Sequence, residues 1–115
     1  MSTNPQSNPI NDQILRWTEA TLQSSVERLA LTLGWLKYHT HDSRRSDAGF
    51  PDLVLVKGRR VIFAELKTSH GRHRPDQTKW LQALAAAGQE AYTWRPKHWI
   101  NGTIRRALLG EESRA

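Results

Sequence analysis

Gly49-Phe50-Pro51-Asp52-Leu53-Val54-Leu55-Val56-Lys57-Gly58-Arg59-Arg60-Val61-Ile62-Phe63-Ala64-Glu65-Leu66-Lys67 is the stretch on which the fold turns. Two apolar runs, Leu53 to Val56 and Val61 to Ala64, are separated by a short polar interval and read as a β-hairpin. Gly58-Arg59 is the natural two-residue turn, because glycine at the first loop position accepts the positive φ of a tight hairpin. Lys57 then faces Arg60, Val56 faces Val61 and Val54 faces Phe63. Continuing outward, Asp52 falls opposite Glu65, where cross-strand Cβ atoms lie about 5 Å apart. Two carboxylates that close repel unless a cation joins them. Lys67 follows Glu65 by two residues, so strand alternation puts its ammonium on the same face. A carboxylate pair with a lysine suits phosphodiester hydrolysis: oxygen ligands for a hard divalent cation, and positive charge near the attacking water and the developing phosphorane. The alternative is a surface hairpin with ordinary charged ends.

Working outward, a helix is predicted from about Asn11 to Leu33, closed by Gly34. Leu15, Leu22, Val26, Leu29 and Leu33 form its apolar stripe, which Glu19 interrupts. A carboxylate on that face must reach solvent, a cation or a polar cleft. Glu27 competes for this role but lies off the stripe. Trp35 to Thr40 is expected as the first strand, with Trp35, Leu36 and Tyr38 packing inward, and His41 to Pro51 as a polar loop. Gly49 supplies backbone freedom before Asp52. Beyond Lys67 comes a basic loop, Thr68 to Arg74. Pro75 then opens a helix reaching to about Gly88, with Gln77 in its first turn and Trp80 and Leu84 turned to the core. Glu90 to Trp94 is the last strand, and about Pro96 to Leu109 the last helix, carrying Ile104 and Leu108 inward.

Gly49-Phe50-Pro51-Asp52, a hairpin, Glu65-Leu66-Lys67 and then Gln77-Thr78-Lys79-Trp80, in that order, resemble the VRR-NUC group of the PD-(D/E)XK nucleases. The likeness runs from about Glu19 to Trp99, and the ordered combination is far more specific than any one piece. It implies an α/β fold with a restriction-endonuclease-like core, a mixed central sheet flanked by helices. Residues 11–110 would form that nuclease domain, after a loose polar tail at 1–10. The resemblance also implies magnesium or manganese held by Asp52, Glu65 and the Leu66 carbonyl, with Glu19 as an outer or water-mediated ligand. Lys67 would orient or help deprotonate the attacking water. Gln77 would hold water or substrate, its alternative being a solvent-facing side chain. Arg74 departs from the pattern, since a small hydroxyl residue often caps that helix.

Composition agrees with a polyanionic partner. The 115-residue chain carries 17 Lys and Arg against 11 Asp and Glu, net +6, with a pI near 10.3. Arg44, Arg45, Arg59, Arg60, Arg72 and Arg74 cluster around the expected site. Of these Arg44, Arg45, Arg72 and Arg74, together with Lys79, are the candidate phosphate contacts, adding salt-sensitive affinity and little sequence information. A merely solvated basic surface is the alternative. With no cysteine, disulfides and thiolate zinc sites are excluded. No apolar run approaches membrane-spanning length and the first dozen residues lack a signal-peptide core, so an intracellular, cytoplasmic setting is expected. His39-x-His41 and His70-x-x-His73 have short spacings that fit phosphate or solvent contact better than zinc, and the role of His39 stays open. Trp94 and Trp99 could stack on bases, though five tryptophans in a small domain suit the core.

The expected activity is metal-dependent endonucleolytic hydrolysis of DNA. Small stand-alone members of the family resemble Holliday-junction resolvases, and some pair as homodimers to cut two strands of branched DNA. The rivals are a non-catalytic nucleic-acid-binding module with the same fold and an assembly factor of a larger machine.

Overall fold

The computed structural model describes residues 8–40 and 47–111. Among these, four strands form one sheet in the order β1 (Leu36–His39), β2 (Leu53–Lys57), β3 (Arg60–Leu66), β4 (Glu90–Trp94). The first three are antiparallel, and β4 runs parallel to β3. The hairpin has the expected register, Lys57 to Arg60 through Leu53 to Ala64. Gly58 takes φ +58° at its turn.

Strand alternation divides the sheet into two unlike faces. Leu53, Leu55, Ile62, Ala64 and Leu66 point to one side and are fully or almost fully buried there with Leu22, Val26 and Ala30 of α2 (Glu19–Thr32) and Ile104, Ala107 and Leu108 of α5 (Thr103–Leu109). This is the main core. The opposite face carries Phe63, Glu65 and Lys67, and α3 (Pro75–Ala86) packs there against β4. Phe50 bridges that layer, meeting Phe63 at 6.1 Å and Trp80 at 5.0 Å, both edge-on. Trp80 and Leu84 are half-buried here and do not enter the main core.

The expected single helix from Asn11 to Leu33 is two helices. α1 (Pro9–Leu15) ends at Arg16, and Thr18 caps α2, its Oγ1 accepting from the Thr21 N–H at 3.1 Å. Trp17, in the break, packs on Trp99 with ring centroids 5.6 Å apart. Glu19 is therefore the first residue of α2 and does not interrupt a buried stripe. A threonine cap with an acid in the first turn is the sequence sign of such a start. The last helix also divides, into α4 (Pro96–Ile100) and α5, at Asn101-Gly102, where Gly102 has φ +82°. The Asn101 side chain accepts from the Thr103 backbone N–H and hydroxyl.

Leu36 and Tyr38 correct a second expectation, being 73% and 54% exposed. Their register with Val56 and Val54 puts them on the α3 face, at the edge strand farthest from β4, against which α3 packs. Trp35 does pack inward, at 2% exposure.

Arg60 ties the sheet to α5. Its guanidinium holds Glu90 through two bonds of 2.9 and 2.7 Å, donates to the Ala107 carbonyl at 2.8 Å and lies 5.1 Å from the Trp35 ring centre. The Arg60 hydrogen bonds hold the Glu90 carboxyl below its usual range. Arg60→Ala is expected to cost about 1–3 kcal/mol, read as a melting temperature several degrees lower. A group with a depressed folded pKa stabilises above its unfolded pKa and loses that contribution as pH falls through the folded value. The gap between wild type and variant should therefore narrow as pH falls below about 4.5, leaving the share owed to Ala107 and Trp35; a gap that persists unchanged to pH 3 would show that the ionised Glu90 adds nothing.

Among the described residues no helix is long and apolar enough to cross a membrane.

Candidate active site

Hairpin register builds the site. A two-residue loop makes Lys57 and Arg60 a hydrogen-bonded pair, so alternation makes Asp52 and Glu65 a non-hydrogen-bonded pair, the closer type for side chains. The next pair outward is Pro51 with Leu66. Pro51 has no N–H, so it cannot give the Leu66 carbonyl its ladder bond. Its own carbonyl accepts from Thr40 Oγ1 at 2.6 Å, and the Leu66 N–H donates to Asp52 Oδ2 at 2.8 Å. The Thr40 N–H also donates to the Asp52 carbonyl at 2.8 Å. Beyond the paired residues, the Asp52 carboxylate thus takes the place of a ladder acceptor for the Leu66 N–H.

Among the described residues the buried charged and polar side chains are Glu65, Lys67 and Gln77, at 2%, 7% and 6% exposure. Three polar groups buried together on one sheet face require mutual partners. Gln77 Nε2 donates to Glu65 Oε2 at 2.8 Å, while its Oε1 accepts from the Arg74 N–H at 2.9 Å. That second bond is half of a capping box, with glutamine at the third helical position reaching back to the helix start. Arg74 has no side-chain acceptor to offer; the Gln77 backbone N–H donates to Asp76 Oδ1 at 3.0 Å instead, and the Gln77 amide, held by the Arg74 N–H, is thereby fixed for Glu65. One amide hydrogen of Gln77 remains for the cavity. Lys67 Nζ lies 3.6 Å from Glu65 Oε2.

Burial pushes the Glu65 carboxyl up to about 8; the Asp52 charge adds to the rise, Lys67 opposes it, and Glu19 contributes a smaller push. A cation shared by the two acids would offset both causes of that rise. Both acids and Lys67 line a cavity of about 250 Å³ whose wall also includes Glu19, Thr40, Asp47, Gly49, Phe50, Arg74 and Gln77. Gly49 is required there twice over: it has φ +88°, and a Cβ would lie 2.5 Å from the Asp76 carbonyl carbon and oxygen.

The expected residues Glu19, Asp52, Glu65, Lys67, Arg74 and Gln77 are thus brought to one cavity. Lys79 is exposed on α3 and Arg72 exposed in the loop before it, while Arg44 and Arg45 lie outside the described residues. His41 lies outside them too. His73 Nε2 pairs with Thr93 Oγ1 at 2.9 Å, and burial with the nearby Lys67 and Arg95 charges lowers its pKa. Among the described residues no three His, Asp or Glu side chains converge as metal ligands. The carboxylates of Asp52, Glu65 and Glu19 line the cavity, whereas the expected Leu66 is not among its lining residues. That all-oxygen set fits a hard cation such as magnesium, which uses one or two carboxylates and keeps several waters. Thr40, Asp47 and Phe50 were not singled out for the site in the sequence. Thr40 is placed by pairing between distant strands, which no local motif marks.

The VRR-NUC domain family matches residues 1–96. A solved VRR-NUC domain structure superposes with a TM-score of 0.64 at 21% identity, covering 77% of this chain and 97% of that one. The Holliday junction resolvase Hjc of Archaeoglobus fulgidus aligns with a TM-score of 0.47 at 22% identity, covering 67% of this chain and 63% of that one. No curated protein sequence matches. The chain belongs to the VRR-NUC domain family, a nuclease family.

Proposed function

We propose that this chain is a metal-dependent endonuclease that hydrolyses DNA phosphodiester bonds inside the cell, with a preference for branched structures. The observation that carries the reading is the pairing of Asp52 with Glu65, next to the buried Lys67, in one polar cavity. A phosphate-binding module gains nothing from two carboxylates facing its ligand, because they repel it. Asp52, Glu65 and the Leu66 carbonyl would hold magnesium or manganese, with Glu19 assisting directly or through water. The ion supplies Lewis-acid polarisation and neutralises charge on the phosphate. Lys67 either orients the attacking water as the ammonium or, as the free amine, takes its proton, and in both cases its positive charge offsets the negative charge that grows on the phosphorane. Gln77 holds Glu65 in place and turns its remaining amide hydrogen toward water or phosphate. Arg72, Arg74 and Lys79, with Arg44 and Arg45, hold the strand by its phosphates.

The test is a cleavage panel of branched, duplex and single-stranded DNA with magnesium, manganese or a chelator. Cleavage that the chelator abolishes is expected, strongest on the branched substrates. Binding without any chelator-sensitive cut would leave only a binding module.

A further inference from the structure

A second hollow adjoins the catalytic cavity, and its chemistry differs. It measures about 350 Å³, is almost wholly apolar, and is lined by Ala48, Asp76, Lys79, Trp80 and Ala83. Phe50 forms part of the catalytic cavity wall and meets the Trp80 ring at 5.0 Å and 85°. Gly49, with its close approach to the Asp76 backbone, seats this segment against α3. Phe50 of one wall and Trp80 of the other are therefore in direct contact. The Asp76 carboxylate at the rim is held by the Arg74 Nε at 3.3 Å and the Gln77 N–H at 3.0 Å. Lys79 offers an exposed ammonium beside it.

Resting on the nuclease reading, we propose that this hollow receives an unpaired nucleobase of the strand whose phosphate occupies the catalytic cavity, stacked on Trp80 with its backbone phosphate near Lys79. The occupant follows from continuity and charge. A chain whose phosphate lies in the catalytic cavity beside Lys67 presents its neighbouring base to the next surface, which is apolar, carries an indole and has a cation at its edge. Aromatic faces accept any base, so the hollow reads the absence of pairing and not sequence. A base locked in a duplex cannot enter, so DNA with unpaired nucleotides beside the cut is favoured.

Ala83 is exposed on the hollow's wall, so Ala83→Phe fills the space without touching the core, while Trp80→Leu removes the stacking ring. The experiment measures binding, in chelator, of flap DNA carrying 2-aminopurine at the unpaired nucleotide next to the branch, and of matched duplex. Wild type should quench the 2-aminopurine and bind flap more tightly than duplex. Both variants should lose the quench and about tenfold in flap affinity, with duplex affinity within twofold, and Trp80→Phe should keep most of both. Unchanged flap affinity and quench in Ala83→Phe, or equal losses on flap and duplex, would overturn the proposal. If wild type binds and cuts flap and duplex alike, this inference fails and the nuclease reading stands. A chain that binds no DNA at all removes both.

Discussion

Lys67→Ala is expected to cut DNA about 10²- to 10⁴-fold more slowly than wild type while binding it with affinity within a few-fold. Lys67 is 7% exposed and lines the catalytic cavity, with its ammonium 3.6 Å from Glu65 Oε2. A buried charge of this kind is in reach of the reacting phosphate, where charge grows in the transition state. Affinity for the rest of the strand rests on exposed groups such as Arg72, Arg74 and Lys79, each adding salt-sensitive phosphate contact. Lys67 also opposes the upward pull on the Glu65 pKa, so its loss should leave Glu65 more firmly protonated. Single-turnover cleavage in magnesium, alongside a gel-shift titration in chelator, separates the two effects. A variant that cuts at the wild-type rate would refute the assigned role.

Magnesium affinity should weaken about tenfold for each pH unit below 8, reaching roughly a hundredfold loss at pH 6. The reason is the Glu65 carboxyl, pushed up to about 8 by burial first and by Asp52 second. Ligation needs the ionised acid, so binding the ion must expel the Glu65 proton. The metal-free protein should show the reverse dependence. A group whose folded pKa is raised stabilises fully below its unfolded value, here 4.5, and loses that contribution as pH rises through 8. Melting of the free chain should therefore fall between pH 5 and 8, and added magnesium should restore most at the alkaline end. Calorimetry in two buffers of different ionisation enthalpy counts the proton released. Glu65→Gln should flatten both trends. A magnesium affinity that does not change from pH 6 to 8 in wild type would remove the account of a Glu65 proton displaced by the ion.

Much of this site was legible because hairpins are local. Gly58-Arg59 sets the register, register sets the Asp52 and Glu65 pairing, and period-two alternation adds Lys67. The Pro75 helix start likewise placed Gln77 in the first turn facing the site. Glu19 reached the cavity for a different reason than periodicity suggested. The apolar series continued across a helix break, and the cap at Thr18 was the stronger local signal. Asn101-Gly102 was a similar punctuation hidden under an acceptable helical pattern.

Strand β1 shows the other limit. Leu36 and Tyr38 carry the composition of a packed strand, yet burial depends on whether another layer lies above them, and α3 packs against β4 at the opposite edge of the sheet. Trp80 resembles a core residue by its spacing and instead walls an open hollow. The amino-acid order by itself determined the hairpin, its register and the convergence of two acids with a lysine, since these follow from turn chemistry and strand period over short distances. Only the tertiary structure decided which faces are covered, how Thr40 and Pro51 hold the Asp52 strand, and how deeply Glu65 is buried. Those outcomes depend on contacts between segments far apart in the chain, and burial is a property of the assembled layers, which no local pattern encodes.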